Sequence, residues 1–112
     1  MKRTIFTTAA AMLCSTAVMA EVSVGNPMAL TGPIPDLVAP MAQAVDLAAA
    51  NVNAQGGMFA GGESYKIIRA DSACDPVAAV DAVTKLINVN SVSAILGPVC
   101  SGATIAQAES VS

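Results

Sequence analysis

The residues best suited to binding chemistry are the serine and threonine of Ser101-Gly102-Ala103-Thr104. This segment is predicted to begin a helix that runs through Ala103 to Glu109. The first turn of a helix has backbone N–H groups without acceptors, and its dipole favours an anion. Together with the two hydroxyl groups, these donors predict a site for an anionic group such as a carboxylate. The alternative is that Ser101 serves only as the N-cap of the helix.

The sequence offers little to a catalytic site, a cofactor or a metal ion. It contains no histidine, the commonest general base and metal ligand. A Gly-x-Ser-x-Gly nucleophile motif, a dinucleotide-binding glycine motif after the first strand and a P-loop lysine are all lacking. Asp71 and Asp75 are predicted at a strand end and a helix N-cap, which are structural positions. We therefore expect no enzyme activity, no cofactor and no metal.

The first twenty residues have the layout of a secretory signal peptide. Lys2 and Arg3 form a charged start, residues 5–13 are mostly apolar, and Val18-Met19-Ala20 ends on the small residue that signal peptidase requires. The alternative, a membrane anchor, is disfavoured because the apolar run is well short of the roughly 20 residues that span a bilayer. We predict that residues 1–20 are removed on export to the periplasm. Cys14 lacks the preceding small residue of a lipoprotein site and is predicted to be discarded with them.

Removal of the signal peptide makes the chain more acidic. Lys plus Arg falls from five to three while the eight acidic residues remain, so the formal net charge changes from −3 to −5. Such a chain has no basic patch, which argues against nucleic acid or anionic lipid as a partner.

Two cysteines, Cys74 and Cys100, remain in the mature chain. An even pair in an oxidising compartment favours a disulfide, and their separation is too long for a thioredoxin-like redox motif. Two buried free thiols are the alternative.

Short runs of β-branched residues alternate with helical patterns along the mature chain. The first helix is predicted to begin only after Pro35 and Pro40, because proline fits best in a first turn. The predicted elements are a strand at 22–26, a helix at 41–53, a strand at 65–70, a helix to about residue 88 that begins at Pro76 and is capped by Asp75, a strand at 93–96 and the helix after Ser101. The predicted buried stripes are Ala42, Val45, Ala49 and Val52 on the first helix, and Val77, Val80, Val83 and Ile87 on the second.

This β-α-β-α-β-α order predicts an α/β fold with a Rossmann-like parallel sheet and right-handed crossovers. Ligands of such sheets bind beyond the carboxyl ends of the strands. That location corresponds to the loops Pro27–Pro33 and Pro98–Thr104. Three strands make a small sheet with exposed edges, so we expect the sequence to be part of a longer one.

Four motifs together resemble the periplasmic branched-chain amino-acid binding proteins of the leucine/isoleucine/valine type. They are Thr31-Gly32-Pro33, Asn53-Ala54-Gln55-Gly56-Gly57-Met58, Asp71-Ser72-Ala73-Cys74-Asp75-Pro76 and Gly97-Pro98-Val99-Cys100-Ser101. The resemblance covers essentially all of the mature chain, and the combination is specific to the wider superfamily rather than to one ligand.

The resemblance implies a type I periplasmic binding protein, in which two α/β lobes close on a ligand. Residues 21–112 would be the N-terminal portion of the first lobe. A protein of this type is expected to be a monomer that delivers a small amino acid or similar solute to the membrane permease of an ABC transporter. The paired cysteines of the family are disulfide-bonded, which matches Cys74 and Cys100.

The resemblance also implies roles for individual residues. Ser101, which follows the second cysteine, would bind the α-carboxylate of the ligand through its hydroxyl and backbone, and Val99 would line the pocket. The candidate ligand-binding residues are therefore Val99, Cys100, Ser101 and Thr104. Leu37 departs from the family, which often carries an aromatic residue at this place, so the preferred ligand side chain stays open.

Three functions are compatible with these observations. The first is a transport-coupled binding protein for a branched-chain or related small amino acid. The second is a ligand-sensing receptor domain of the same fold, in which closure would signal instead of delivering solute. The third is an exported enzyme, which is disfavoured because histidine and a nucleophile motif are lacking. A signal peptide followed directly by the lobe favours the first.

Overall fold

Strands and helices alternate along the chain, as the sequence predicts. The structure, a computed structural model, describes residues 20–57 and 62–112, so the predicted signal peptide lies outside the described residues except for Ala20. The elements are β1 (Glu21–Met28), α1 (Pro35–Ala54), β2 (Ser64–Asp71), α2 (Pro76–Asn88), β3 (Ala94–Ile95) and α3 (Ser101–Gln107), followed by a 3-10 turn at Ala108–Ser110.

The three strands form one parallel sheet in the order β2-β1-β3. Adjacent residues of β2 face opposite sides, since Ile67 lies in a groove with α1 and Ile68 in a cleft with α2. Helices therefore lie on both faces of this strand, in the predicted parallel sheet. All carboxyl ends of the strands lie at one edge of the sheet, which brings the loops that follow them together.

The first helix begins at Pro35 and not at Met41, so the predicted start is wrong by six residues. Pro35 occupies the first turn, where its missing N–H costs nothing, but Pro40 lies inside the helix and removes one backbone hydrogen bond. The first turn of α1 places the side chain of Val38 in the core, where it has no exposed surface. Burial of Val38 explains why the helix continues through Pro40, because tertiary packing overrides local preference.

The first strand continues through Pro27 to Met28, two residues beyond its predicted end. On the side of β1 that faces β3, the carbonyls of Ser23 and Gly25 accept hydrogen bonds from the N–H groups of Ser93 and Leu96. Alternation places the ring nitrogen of Pro27 on that same side. Since β3 has already ended at Ile95, the missing N–H of Pro27 interrupts no ladder.

The second helix begins as predicted, with Asp75 as its N-cap. The Asp75 carboxylate accepts from the N–H groups of Val77 and Ala78 at 2.9 and 2.8 Å. Its predicted buried stripe is partly wrong, because Val77 is 70% exposed. Val83 is buried as predicted and Val80 and Ile87 are half-buried, but the other buried residues are Ala79, Ala82 and Leu86. Small alanines allow α2 to approach the sheet closely, and this rotates the larger Val77 outward.

The predicted stripe of α1 faces the sheet, but it is only partly covered. Ala42 is buried, whereas Val45, Ala49 and Val52 are half-buried and line an open apolar groove of about 440 Å³ with Ile67.

Within residues 20–57 and 62–112, none of the helices has the length and apolar character needed to cross a membrane.

Candidate functional site

Three loops meet at the carboxyl edge of the sheet. We call them the first loop (residues 29–34, after β1), the second loop (residues 72–75, after β2) and the third loop (residues 96–100, after β3). A core cluster lies beneath them, formed by β1 and α1, with residues of all three loops packed against it or within it. Its members are Met28, Ala29, Val38 and Ala42, in contact with Ile34, Cys74, Val99 and Cys100.

The carboxylate of Asp71 joins the first loop to the second. Its Oδ1 accepts from the N–H groups of Leu30, Thr31 and Ala73 at 3.0, 3.3 and 2.9 Å, and its Oδ2 accepts from the Thr31 hydroxyl at 2.6 Å. Burial raises the pKa of Asp71, but the hydrogen bonds from the Thr31 hydroxyl and from these backbone groups lower it more, so the pKa lies below its usual 3.8. Asp71 therefore has a structural role, as the sequence predicts.

Replacing Asp71 with alanine is expected to destabilise the protein by about 2 kcal/mol at neutral pH, since a charged acceptor of four hydrogen bonds is lost. The folded pKa of Asp71 is depressed, so its contribution is present above the unfolded pKa of about 3.9 and is lost as the pH falls through the folded value. The difference between wild type and variant should be constant from about pH 5 to 7 and shrink below about pH 4. Urea unfolding midpoints across that range test this, and a difference that persists undiminished at about pH 2 would contradict it.

A disulfide joins the second loop to the third. Cys74 and Cys100 are bonded, with their Cα atoms 5.4 Å apart, which confirms the disulfide predicted from the sequence. Ala73 and Cys74 have left-handed backbone conformations, with φ of 49° and 58°. The hydrogen bond from the Ala73 N–H to Asp71 holds the first of these residues, and the disulfide to Cys100 holds the second.

Two buried side-chain amides hold the third loop. The Nδ2 of Asn26, on β1, donates to the carbonyl of Leu96 at 2.5 Å, and the Nε2 of Gln107, on α3, donates to the carbonyl of Gly97 at 3.0 Å. Sequence reasoning missed both residues. Neither belongs to a motif, and Asn26 is 70 positions from its partner, so no local pattern indicates either contact.

Ser101 lies at the first position of α3, and its side chain is not a cap. The N-cap is Cys100, whose extended backbone (φ −83°, ψ 128°) precedes the helix without a side-chain capping bond. The alternative prediction that Ser101 caps the helix is therefore wrong. Ser101 is exposed, and its hydroxyl has no hydrogen-bond partner among the residues that the structure describes. It lies at the end of α3 where the N–H groups of the first helical turn lack intrahelical acceptors.

The other candidate residues lie in different environments. Val99 and Cys100 are half-buried against the core cluster. The Thr104 hydroxyl lies within hydrogen-bonding distance of the carbonyls of Cys100 and Pro98, at 3.0 and 3.3 Å, so its proton is directed to the backbone. Leu37, on the first turn of α1, is 61% exposed. In residues 20–57 and 62–112 no three acidic or cysteine side chains are grouped as metal ligands.

Comparison with known proteins identifies a family and several relatives. A family model described as "Periplasmic binding protein" matches residues 21–112. A stretch of 62 residues is 39% identical to an "Amino acid binding protein" of Pseudomonas aeruginosa, covering 55% of this chain and 16% of that protein.

Solved structures share the fold. LivJ from Streptococcus pneumoniae, described as a branched-chain amino acid transporter substrate binding protein in complex with isoleucine, is 26% identical with a TM-score of 0.71, over 78% of this chain and 24% of LivJ. A periplasmic binding protein type 1 from Bordetella pertussis is also 26% identical, with a TM-score of 0.67, over 83% of this chain and 24% of that protein.

The chain spans about a quarter of the length of these solved relatives and 16% of the curated one. The matched family consists of solute-binding proteins that work in the periplasm or outside the cell. Its match runs over the whole described region, and the parallel sheet agrees with that of the solved relatives. The chain belongs to the periplasmic binding protein family.

Proposed function

We propose that residues 21–112 form the N-terminal part of the first lobe of an amino-acid-binding protein, which captures a branched-chain or related small amino acid in the periplasm and delivers it to the permease of an ABC importer. In this proposal residues 1–20 are the export signal, and Ser101 receives the α-carboxylate of the ligand.

The observation that carries the proposal is the free hydroxyl of Ser101. The other polar groups of the three loops are largely engaged: Asp71 accepts four hydrogen bonds, and the Thr104 hydroxyl is directed to the backbone. Ser101 is exposed beside the first N–H groups of α3. A hydroxyl and converging N–H groups are suited to a carboxylate, because hydrogen bonds to a charged acceptor are the strongest of their kind.

The relatives support an amino acid as the ligand class. The printed descriptions name amino acid binding for the Pseudomonas aeruginosa protein and isoleucine for LivJ. Val99 and the exposed Leu37 are the apolar residues of this chain proposed to face the ligand side chain. We expect binding without catalysis, because among the described residues the Ser101 hydroxyl has no hydrogen bond to a base that would activate it.

Replacing Ser101 with alanine in the full-length protein is expected to weaken amino-acid binding roughly 10- to 150-fold, since one hydrogen bond to a charge contributes about 1.5–3 kcal/mol. Backbone N–H groups remain, so binding should weaken without vanishing. Calorimetric titration with leucine, isoleucine, valine and alanine measures the effect.

Two controls separate the carboxylate contact from general damage to the site. Ser101→Thr retains the hydroxyl and should bind nearly as wild type does. Leucinamide, which has a neutral carboxamide in place of the carboxylate, should lose less affinity than leucine does on Ser101→Ala, because a hydrogen bond to a neutral acceptor is weaker than one to a charge. An unchanged affinity of Ser101→Ala for every amino acid would reject the role of Ser101.

A further inference from the structure

The third loop leads directly into Ser101, and only its first residue, Leu96, is bonded through its backbone to β1. The last ladder bond on this side of β1 runs from the Leu96 N–H to the carbonyl of Gly25, at 2.8 Å. Beyond it the carbonyls of Leu96 and Gly97 accept no backbone hydrogen bond from the described residues, because the pairing of β3 with β1 ends at Ile95. Donors for these two carbonyls must therefore come from side chains or from water.

Asn26 and Gln107 supply these donors from two different elements. Their side chains are nearly inaccessible, at 1% and 4% exposure, and each donates to one of two consecutive carbonyls, Leu96 and Gly97. The orientation of each amide is fixed, because the reverse orientation would place its oxygen against a carbonyl oxygen. The amide oxygen of each has no partner among the described residues.

Burying an amide with half of its hydrogen-bonding capacity unused is costly. A core residue that only filled space would be apolar at either position. The one hydrogen bond that each amide does make goes to the third loop, which leads into Ser101. Both residues therefore act on the conformation of this loop, although they belong to different elements.

We propose that Asn26 and Gln107 are positioning residues for ligand binding. They fix the carbonyls of Leu96 and Gly97 and thereby set the direction in which the third loop presents Ser101. Both residues are buried, and in this proposal they act through the third loop and not by contact with the ligand. The inference rests on the proposed function in that Ser101 must be the ligand contact.

The test compares two variants of the full-length protein that lose stability for different reasons. Gln107→Met keeps the volume and removes the donor. Val83→Ala, on α2 and fully buried outside the three loops, is the matched control. At a temperature where both are folded, Gln107→Met is expected to raise the Kd for the preferred amino acid about tenfold, with full binding stoichiometry. Val83→Ala should lower Tm without changing the Kd.

A second readout needs no ligand. In ¹⁵N-labelled protein, Gln107→Met should shift the amide resonances of Ser101 and Gly102, whereas Val83→Ala should leave them in place. Asn26→Ser removes the equivalent bond from β1 and should shift the same amides and weaken binding in the same direction, so the test does not depend on one variant folding.

The outcomes distinguish this inference from the proposed function. If wild type binds none of the four amino acids, the proposed function fails, and the amide shifts still decide whether the two amides position the loop. If wild type binds, but Gln107→Met and Asn26→Ser retain both its Kd and its Ser101 resonance, the positioning role is overturned. Equal loss of affinity in Val83→Ala would also overturn it, since the effect would then follow stability alone.

Discussion

Replacing both Cys74 and Cys100 with alanine is expected to lower the free energy of unfolding by about 3.5 kcal/mol. The disulfide closes a loop with a sequence separation of 26. In the chain-entropy model, a cross-link of this span restricts the unfolded chain by that amount. Typical domains have only about 5–15 kcal/mol in total, so the loss is a large fraction of their stability. Urea unfolding of the full-length protein, followed by circular dichroism, measures it.

Reduction provides the matched control for this prediction. Wild type in excess dithiothreitol should unfold at nearly the midpoint of the double alanine variant, and dithiothreitol should have no effect on the variant itself. Identical midpoints for oxidised and reduced wild type would show that the disulfide contributes no stability.

Gly32→Ala is expected to be strongly destabilising, because two costs coincide at this residue. Gly32 has a φ of +91°, which L-residues rarely adopt, and a Cβ atom there would lie 2.3 Å from the carbonyl oxygen of Ala73. The first cost is about 1–2 kcal/mol. The second forces apart the first and second loops, which Asp71 joins, and should add at least about 2 kcal/mol, as overpacking does elsewhere.

Gly56 isolates the first of these costs. Its φ of +89° nearly equals that of Gly32, but a Cβ atom there would meet no heavy atom of the described residues within 4 Å. Gly56→Ala should therefore lose only the conformational part, and the difference between the two variants measures the close approach of the loops. Equal losses of stability in the two alanine variants would mean that the loops separate freely at Gly32.

The order of elements was predictable because its signals are local. Asp75-Pro76 marks the start of α2 within two residues, and the structure has the cap and the first turn there. The disulfide was predictable from cysteine number and compartment. The start of α1 was not, because the cost of Pro40 inside the helix is offset by burial of Val38, which only the assembled core provides.

The candidate site divides in the same way. Ser101 stands in a recognisable motif, and its position at the start of a helix follows from the sequence. The groups that support it make contacts over long sequence separations: Asp71 reaches Leu30 across 41 residues, and Asn26 reaches Leu96 across 70. Such pairs carry no periodicity or spacing. Val77 shows the same limit on α2, because the choice between two adjacent helix faces depends on what the sheet presents to them.

The sharing of one carboxylate by three backbone N–H groups affects how the loops open. Surface loops commonly exchange their amide hydrogens through local openings of small free energy. Here the amides of Leu30, Thr31 and Ala73 all donate to Asp71, and the adjoining Cys74 is covalently joined to Cys100. Release of the Leu30 or Thr31 amide separates the first loop from Asp71, and release of the Ala73 amide loosens the residue next to the disulfide. Their hydrogen exchange is therefore expected to be as slow as that of the strands, and this edge of the sheet to move as one rigid unit.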